Sequence, residues 1–133
     1  MRSELTKNGV TLEFLDAFAE AWNRHDVDAI VAAMTQDAVF EASLGPDVKG
    51  TVYVGKAQVR AGVEAVFVQF PDAKWNAPNH FTAGDRGVTE WVFSGTRSDG
   101  VWIETQGCDL FTFRDGKISV KNSYRKHRTT PPK

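Results

Sequence analysis

The sequence predicts an α+β fold in which three N-terminal helices lie on one face of a strongly curved, mainly antiparallel sheet. Apolar residues recur with a helical period up to Phe70 and with a period of two from Lys74 onward. The later segment is broken only by short turns, the last of them Asp115-Gly116, a dipeptide suited to a two-residue hairpin because both positions tolerate positive φ. Short turns leave neighbouring strands antiparallel, and the helices that precede them must cover the apolar face of the sheet.

Taken in order, Val10, Phe14, Phe18 and Trp22, with Leu15 beside them, form the apolar stripe of the first helix, which stops at Asn23-Arg24-His25. Asp26 stands where an N-cap accepts backbone hydrogen bonds, and Ile30, Ala33 and Met34 form the stripe of a short second helix. Residues 38–42 read as a brief strand, and residues 43–55, with Gly45-Pro46 and Gly50, as a loop. Val59, Val63, Val66, Phe67 and Phe70 mark a third helix, ended by Pro71. Strands follow near residues 75–83, 88–96, 102–113 and 117–125, and Pro78 makes the first of these an edge strand or the site of a bulge. A single domain spanning 1–133 is expected, with a structured core from about residue 8 to 125 and a disordered basic tail over 126–133.

Composition removes several function classes. Sixteen Lys and Arg balance 17 Asp and Glu for a net charge of −1, so no nucleic-acid partner is expected. Cys108 has no second cysteine to pair with and fits a reducing compartment. No stretch approaches the roughly 18 apolar residues of a membrane span, and the first eight residues lack the apolar run of a secretory signal, so a cytoplasmic location is expected. No His, Cys and carboxylate set has metal-ligand spacing, and no metal is expected.

The residue that points to chemistry is Asp109. In a strand, Asp109, Phe111 and Phe113 share one face, so if the aromatics are core the carboxylate is aimed inward. A buried carboxylate must find a partner or stay protonated. Asp109 is therefore either a general acid/base or half of a structural ion pair with Lys121 or Arg125. With Asp115-Gly116 as the loop, Arg114 pairs with Lys117 and Asp109 falls opposite Asn122, flanked by Lys121 and Ser123. Strict alternation puts Lys121, Ser123 and Arg125 on one face of the last strand and Ile118, Val120, Asn122 and Tyr124 on the other. His80 is the only histidine expected within the sheet, either a second acid/base or a satisfied structural histidine. Trp91, Phe93 and Arg97 share one face of the central strand and Glu90 takes the other; if the first is the pocket face Glu90 points outward, and in the reverse phase Glu90 is a pocket carboxylate. The pocket walls expected are Phe18, Trp22, Phe67, Trp91, Phe93 and Phe111, with Arg97 and Ser123 as polar members.

Four stretches carry a family resemblance: Trp22 to Ile30 after the first helix, Asp37-Ala38-Val39-Phe40, Gly84-Asp85-Arg86-Gly87-Val88, and Gly107 to Ile118. In this order they resemble the cone-shaped roll of the nuclear transport factor 2-like superfamily, which includes ketosteroid isomerases, limonene-epoxide hydrolases, scytalone dehydratases and SnoaL-like polyketide cyclases. The resemblance implies a pocket between sheet and helices, no cofactor, and an acid–base aspartate at Asp109. Against the ketosteroid isomerases, Phe18 stands at the tyrosine position and Ala42 at the base position, with Glu41 next to it on the opposite face. One of three roles is kept, and the SnoaL-like branch is the better match.

Two functions follow as expectations. One is a cofactor-independent isomerase, cyclase or dehydratase acting on a small hydrophobic carbonyl compound, with Asp109 moving the proton and His80 or Lys121 assisting. The other is a non-catalytic small-molecule-binding or assembly module that forms a homodimer through the sheet, whose outer side carries Val92, Val101 and Leu110.

Overall fold

The computed structural model describes residues 8–129. Thr11 opens α1 (Leu12–Asn23) by accepting the amide of Phe14 at 3.0 Å. Val10 is therefore not the first residue of the helix stripe but lies just before the cap, buried in the same core as Leu15, the arrangement of a hydrophobic staple. Asp26 caps α2 (Val27–Ala32) through the amide of Ala29 at 3.1 Å, as its position predicts. α3 (Lys56–Gln69) begins at Gly55, whose φ of 85° suits glycine, and it buries Val59 and Val63.

Six strands form one sheet in the order β2-β1-β6-β5-β4-β3. Their ranges are β1 (Met34–Glu41), β2 (Val52–Val54), β3 (Lys74–Ala83), β4 (Arg86–Thr96), β5 (Trp102–Arg114) and β6 (Lys117–Arg125). Only β1 and β6 run parallel; the remaining pairs are antiparallel. The strand β2 falls inside the stretch expected to be loop, and β1 is longer than the brief strand expected there. At Pro78 both alternatives hold: β3 is an edge strand, and its register slips between Asn76 and Asn79, with Ala77 at φ 53°. The Asp115-Gly116 hairpin has φ of 54° and 74°, the positive pair that a primed turn requires. The tail is held to β5 as far as Arg128, since Lys126 bonds to Gln106 and Thr105 and Arg128 bonds to the carbonyl of Glu104; residues 130–133 lie outside those described.

The concave face of the sheet, under the helices, holds Phe111, Phe113, Phe40 and Ile118 with Leu15, Phe18 and Trp22 of α1. A bulge at Ser119 corrects the expected face assignment of β6. Arg114 pairs with Lys117 and Phe113 with Ile118, but Thr112 pairs with Val120, so Ser119 is extra and its Oγ donates to the Thr112 carbonyl at 3.1 Å. Ile118 is thus on the concave face together with Lys121, not opposite it, and Asp109 pairs with Ser123 rather than Asn122.

Candidate functional site

Cross-strand partners share a face, so the register lays the site out in rows. One row runs His80, Thr89, Asp109, Ser123 across β3, β4, β5 and β6. The next row toward the chain termini of the sheet is Trp91, Gly107, Arg125, and the row on the other side contains Gly87, Phe111, Lys121 and Phe40. Gly107 is required here: a Cβ would stand 2.6 Å from the Trp91 ring and 2.3 Å from the Tyr124 carbonyl oxygen. The absent side chain lets the Trp91 indole lie along the strand toward Asp109.

Asp109 is 6% exposed and fully partnered. Its Oδ2 accepts from Trp91 Nε1 at 3.0 Å, while Oδ1 accepts from Lys121 Nζ at 3.0 Å and Ser123 Oγ at 2.6 Å. Lys121, 5% exposed, also donates to Ser123 Oγ at 2.8 Å and lies over the rings of Trp22 at 4.5 Å and Phe40 at 4.7 Å. The carboxylate and the two aromatic faces together compensate an ammonium that water barely reaches. Trp22 adds a second donor: its buried Nε1 has no acceptor among the described residues.

A cavity of about 330 Å³ opens between the sheet, α3 and the loop at Ser43–Gly45. Trp22, Trp91, Phe93, Lys121 and Ser123, all expected site residues, line it, as do Tyr53, Trp75 and Arg125. A separate cleft of about 20 Å³, the size of one water or one substituent, holds Asp109 with Phe18, Phe111 and Thr89. The two spaces share Trp22, Trp75, Trp91 and Lys121, so Lys121 faces both and Asp109 stands behind it.

The structure separates three expected members from this group. His80 is held away from the cavity, with Nε2 2.8 Å from Asp16 and Nδ1 2.8 Å from Thr89 Oγ1. Phe67 packs between Trp22 at 5.5 Å and the His25 ring at 4.0 Å and does not line the cavity. Arg97 forms a two-point ion pair with Asp99, at 2.9 Å on each contact, in a neighbouring depression. Two contributors escaped the sequence: Tyr53, stacked on Phe40 at 5.6 Å, and the glycine beneath it, Gly62, where a Cβ would meet the Tyr53 ring at 2.6 Å. The β-prone triplet Val52-Tyr53-Val54 was the available signal. Cys108 is on the other face beside Glu90, where burial and the nearby carboxylates push its thiol up and away from nucleophilic use.

The model of the SnoaL-like domain matches residues 15–120, most of the chain. The chain belongs to the SnoaL-like domain family. Solved structures share its fold. A Xanthomonas campestris protein of unknown function with a cystatin-like fold is 18% identical, with a TM-score of 0.78 over 91% of this chain and 94% of that one. A Catenulispora acidiphila protein with a ketosteroid isomerase-like fold, crystallised with trimethylamine, is 18% identical, with a TM-score of 0.74 over 86% of each chain. TerC, co-crystallised with polyporic acid, is 20% identical, with a TM-score of 0.72 over 86% of this chain and 90% of that one. A comparison with curated proteins finds no match. The SnoaL-like match bears out the expected membership in the nuclear transport factor 2-like superfamily. No helix among the described residues is long and apolar enough to cross a membrane.

Proposed function

We propose that this SnoaL-like protein is a cofactor-independent enzyme that moves a proton on a small hydrophobic carbonyl compound held in the 330 Å³ cavity. The observation that carries the reading is the Lys121–Asp109 pair, an ammonium facing the cavity with a carboxylate 3.0 Å behind it. A substrate carbonyl oxygen accepts from Lys121 Nζ, with Trp22 Nε1 as a second donor. The substrate's α-carbon enters the adjoining cleft that holds Asp109, where its C–H bond breaks toward that carboxylate, the electron pair forms the enolate double bond, and the negative charge settles on the oxygen beside Lys121. Return of the proton to another carbon gives isomerisation; attack of the enolate on a second carbonyl gives cyclisation. The neighbour co-crystallised with polyporic acid supports a small organic ligand in this fold.

Deuterium exchange into β-tetralone, followed by proton NMR, tests this. The wild-type protein is expected to accelerate exchange over buffer, and Lys121→Met and Asp109→Asn to lose about 10²–10⁴-fold of that rate. A wild-type rate equal to buffer would sink the proposal. One observation favours binding without turnover: both Asp109 oxygens are already occupied, by three donors. Quenching of tryptophan fluorescence by β-tetralone with no exchange would establish that second reading instead.

A homodimer through the convex sheet face belongs to the same proposal. Phe81, Trp102 and Tyr124 are 53%, 40% and 53% exposed, and strand alternation places all three on that face. Sedimentation equilibrium is expected to return twice the 14.7 kDa chain mass, and Trp102→Glu combined with Tyr124→Glu to return the monomer. A monomeric wild type at micromolar concentration would refute the dimer.

A further inference from the structure

Among the described residues, Arg125 is the one charged group on the cavity wall without a partner. None of the described Asp or Glu residues lines the cavity, and the charge of Lys121 is matched by Asp109 just behind it. The Arg125 guanidinium carbon lies over the ring of Phe93 at 4.7 Å and that of Phe70 at 5.7 Å, and the side chain makes no hydrogen bond or ion pair among the described residues. An Arg carries five donors in a planar fork, and leaving them all without a protein acceptor on a half-buried side chain is unusual. Burial alone acts on it, pushing its proton affinity down with no carboxylate to offset the push.

The surroundings add to that charge rather than cancel it. Arg125 also lines the adjoining depression of about 160 Å³ with Arg97, Lys126, His127 and Arg128. Arg97 is neutralised by Asp99, and Glu104, the one acid among the described residues of that depression, forms no ion pair with Arg125. The mouth of the cavity is therefore net positive in a chain whose overall charge is −1. Two phenylalanine rings pack against the guanidinium, and its N–H donors, with no acceptor among the described residues, are available to a planar two-oxygen acceptor.

We infer that the cavity takes a hydrophobic carboxylic acid, whose carboxylate pairs with Arg125 at the mouth while its apolar body fills the tryptophan- and phenylalanine-walled interior. The inference rests on the cavity being a small-molecule site and deepens that reading by naming the substrate class; it does not depend on proton transfer. Lys121 and Arg125 lie four residues apart on one strand, so their Cα atoms are about 13 Å apart. A ligand that reaches both carries its carboxylate and its reacting carbonyl at opposite ends.

Binding of naphthylacetic acid and of its methyl ester, measured by quenching of Trp22, Trp75 and Trp91 and by calorimetry, tests the assignment. The acid is expected to bind at least about ten-fold tighter than the ester, as a charge-assisted pair provides. Arg125→Gln is expected to bring the two affinities together, and Arg125→Lys to restore part of the preference, with circular dichroism showing each variant folded. Equal affinities in the wild type, no binding of either at millimolar concentration, or an acid preference that survives Arg125→Gln would each overturn the inference. Lys121→Met separates the two proposals: it is expected to abolish exchange in β-tetralone while leaving the preference for the acid intact.

Discussion

Asp109→Ala is expected to destabilise the protein by about 3–5 kcal/mol, the cost of breaking a buried ion pair by removing one partner. The substitution leaves Lys121, 5% exposed, with its charge uncompensated except by the Trp22 and Phe40 rings. It also takes the acceptor from Trp91 Nε1 and Ser123 Oγ. For a chain of this size the loss lowers the midpoint of thermal unfolding by on the order of 10–20 °C. The double variant Asp109→Ala with Lys121→Met is expected to recover a large part of it, because the stranded charge is removed with its partner. Urea unfolding of the two singles and the double closes the cycle. A single variant within about 1 kcal/mol of wild type would mean that Lys121 finds another partner once the carboxylate is gone, and that the pair does not fix the site.

Phe111→Ala is expected to cost a similar amount, about 3–5 kcal/mol, for a different reason. Phe111 is 1% exposed, meets the rings of Phe18 and Phe113 at 5.9 Å each, and lies directly opposite Lys121 in the same row. It was expected as a pocket wall, yet it lines only the small cleft beside Asp109 and not the main cavity. Truncation therefore opens a void in the core without enlarging the cavity mouth. Naphthylacetic acid is expected to bind this variant within a few-fold of wild type at a temperature where it remains folded. A loss of binding as large as that from Arg125→Gln would make Phe111 a ligand contact.

What the sequence could tell follows the range over which periodicity holds. The helices, the hairpin at Asp115-Gly116 and the inward carboxylate at Asp109 are all local or two-residue patterns, and each was legible. The faces of β6 were not, because the bulge at Ser119 breaks the alternation and no residue type announces it: serine there reads as an ordinary strand residue. The cavity-facing role of Lys121 was likewise open, since its position relative to Asp109 depends on how two separate walls meet. Arg125 looked like a spare partner for Asp109; only the register, which sets it opposite Gly107 and two residues beyond Ser123, shows that the carboxylate is satisfied without it. His80 was correctly placed in the sheet, but its two partners come from α1 and β4, elements that local pattern cannot bring together.

The extra residue at Ser119 divides its strand into two reading frames. On the hairpin side, the inward position is taken by Ile118 and belongs to the core; on the far side, the inward positions are Lys121, Ser123 and Arg125. One strand thus serves two masters, and the slip lets each half be altered without rephasing the other. Beyond Ser119 the inward residues are themselves divided: Lys121 and Ser123 are tied to Asp109 and so to stability, whereas Arg125 bonds to no described side chain and can be exchanged to retune what the cavity accepts. The bulge at Ser119 is in this sense a seam: core packing is set on one side of it, and at Arg125, farthest along the other side, the ligand preference can change at little expense to stability.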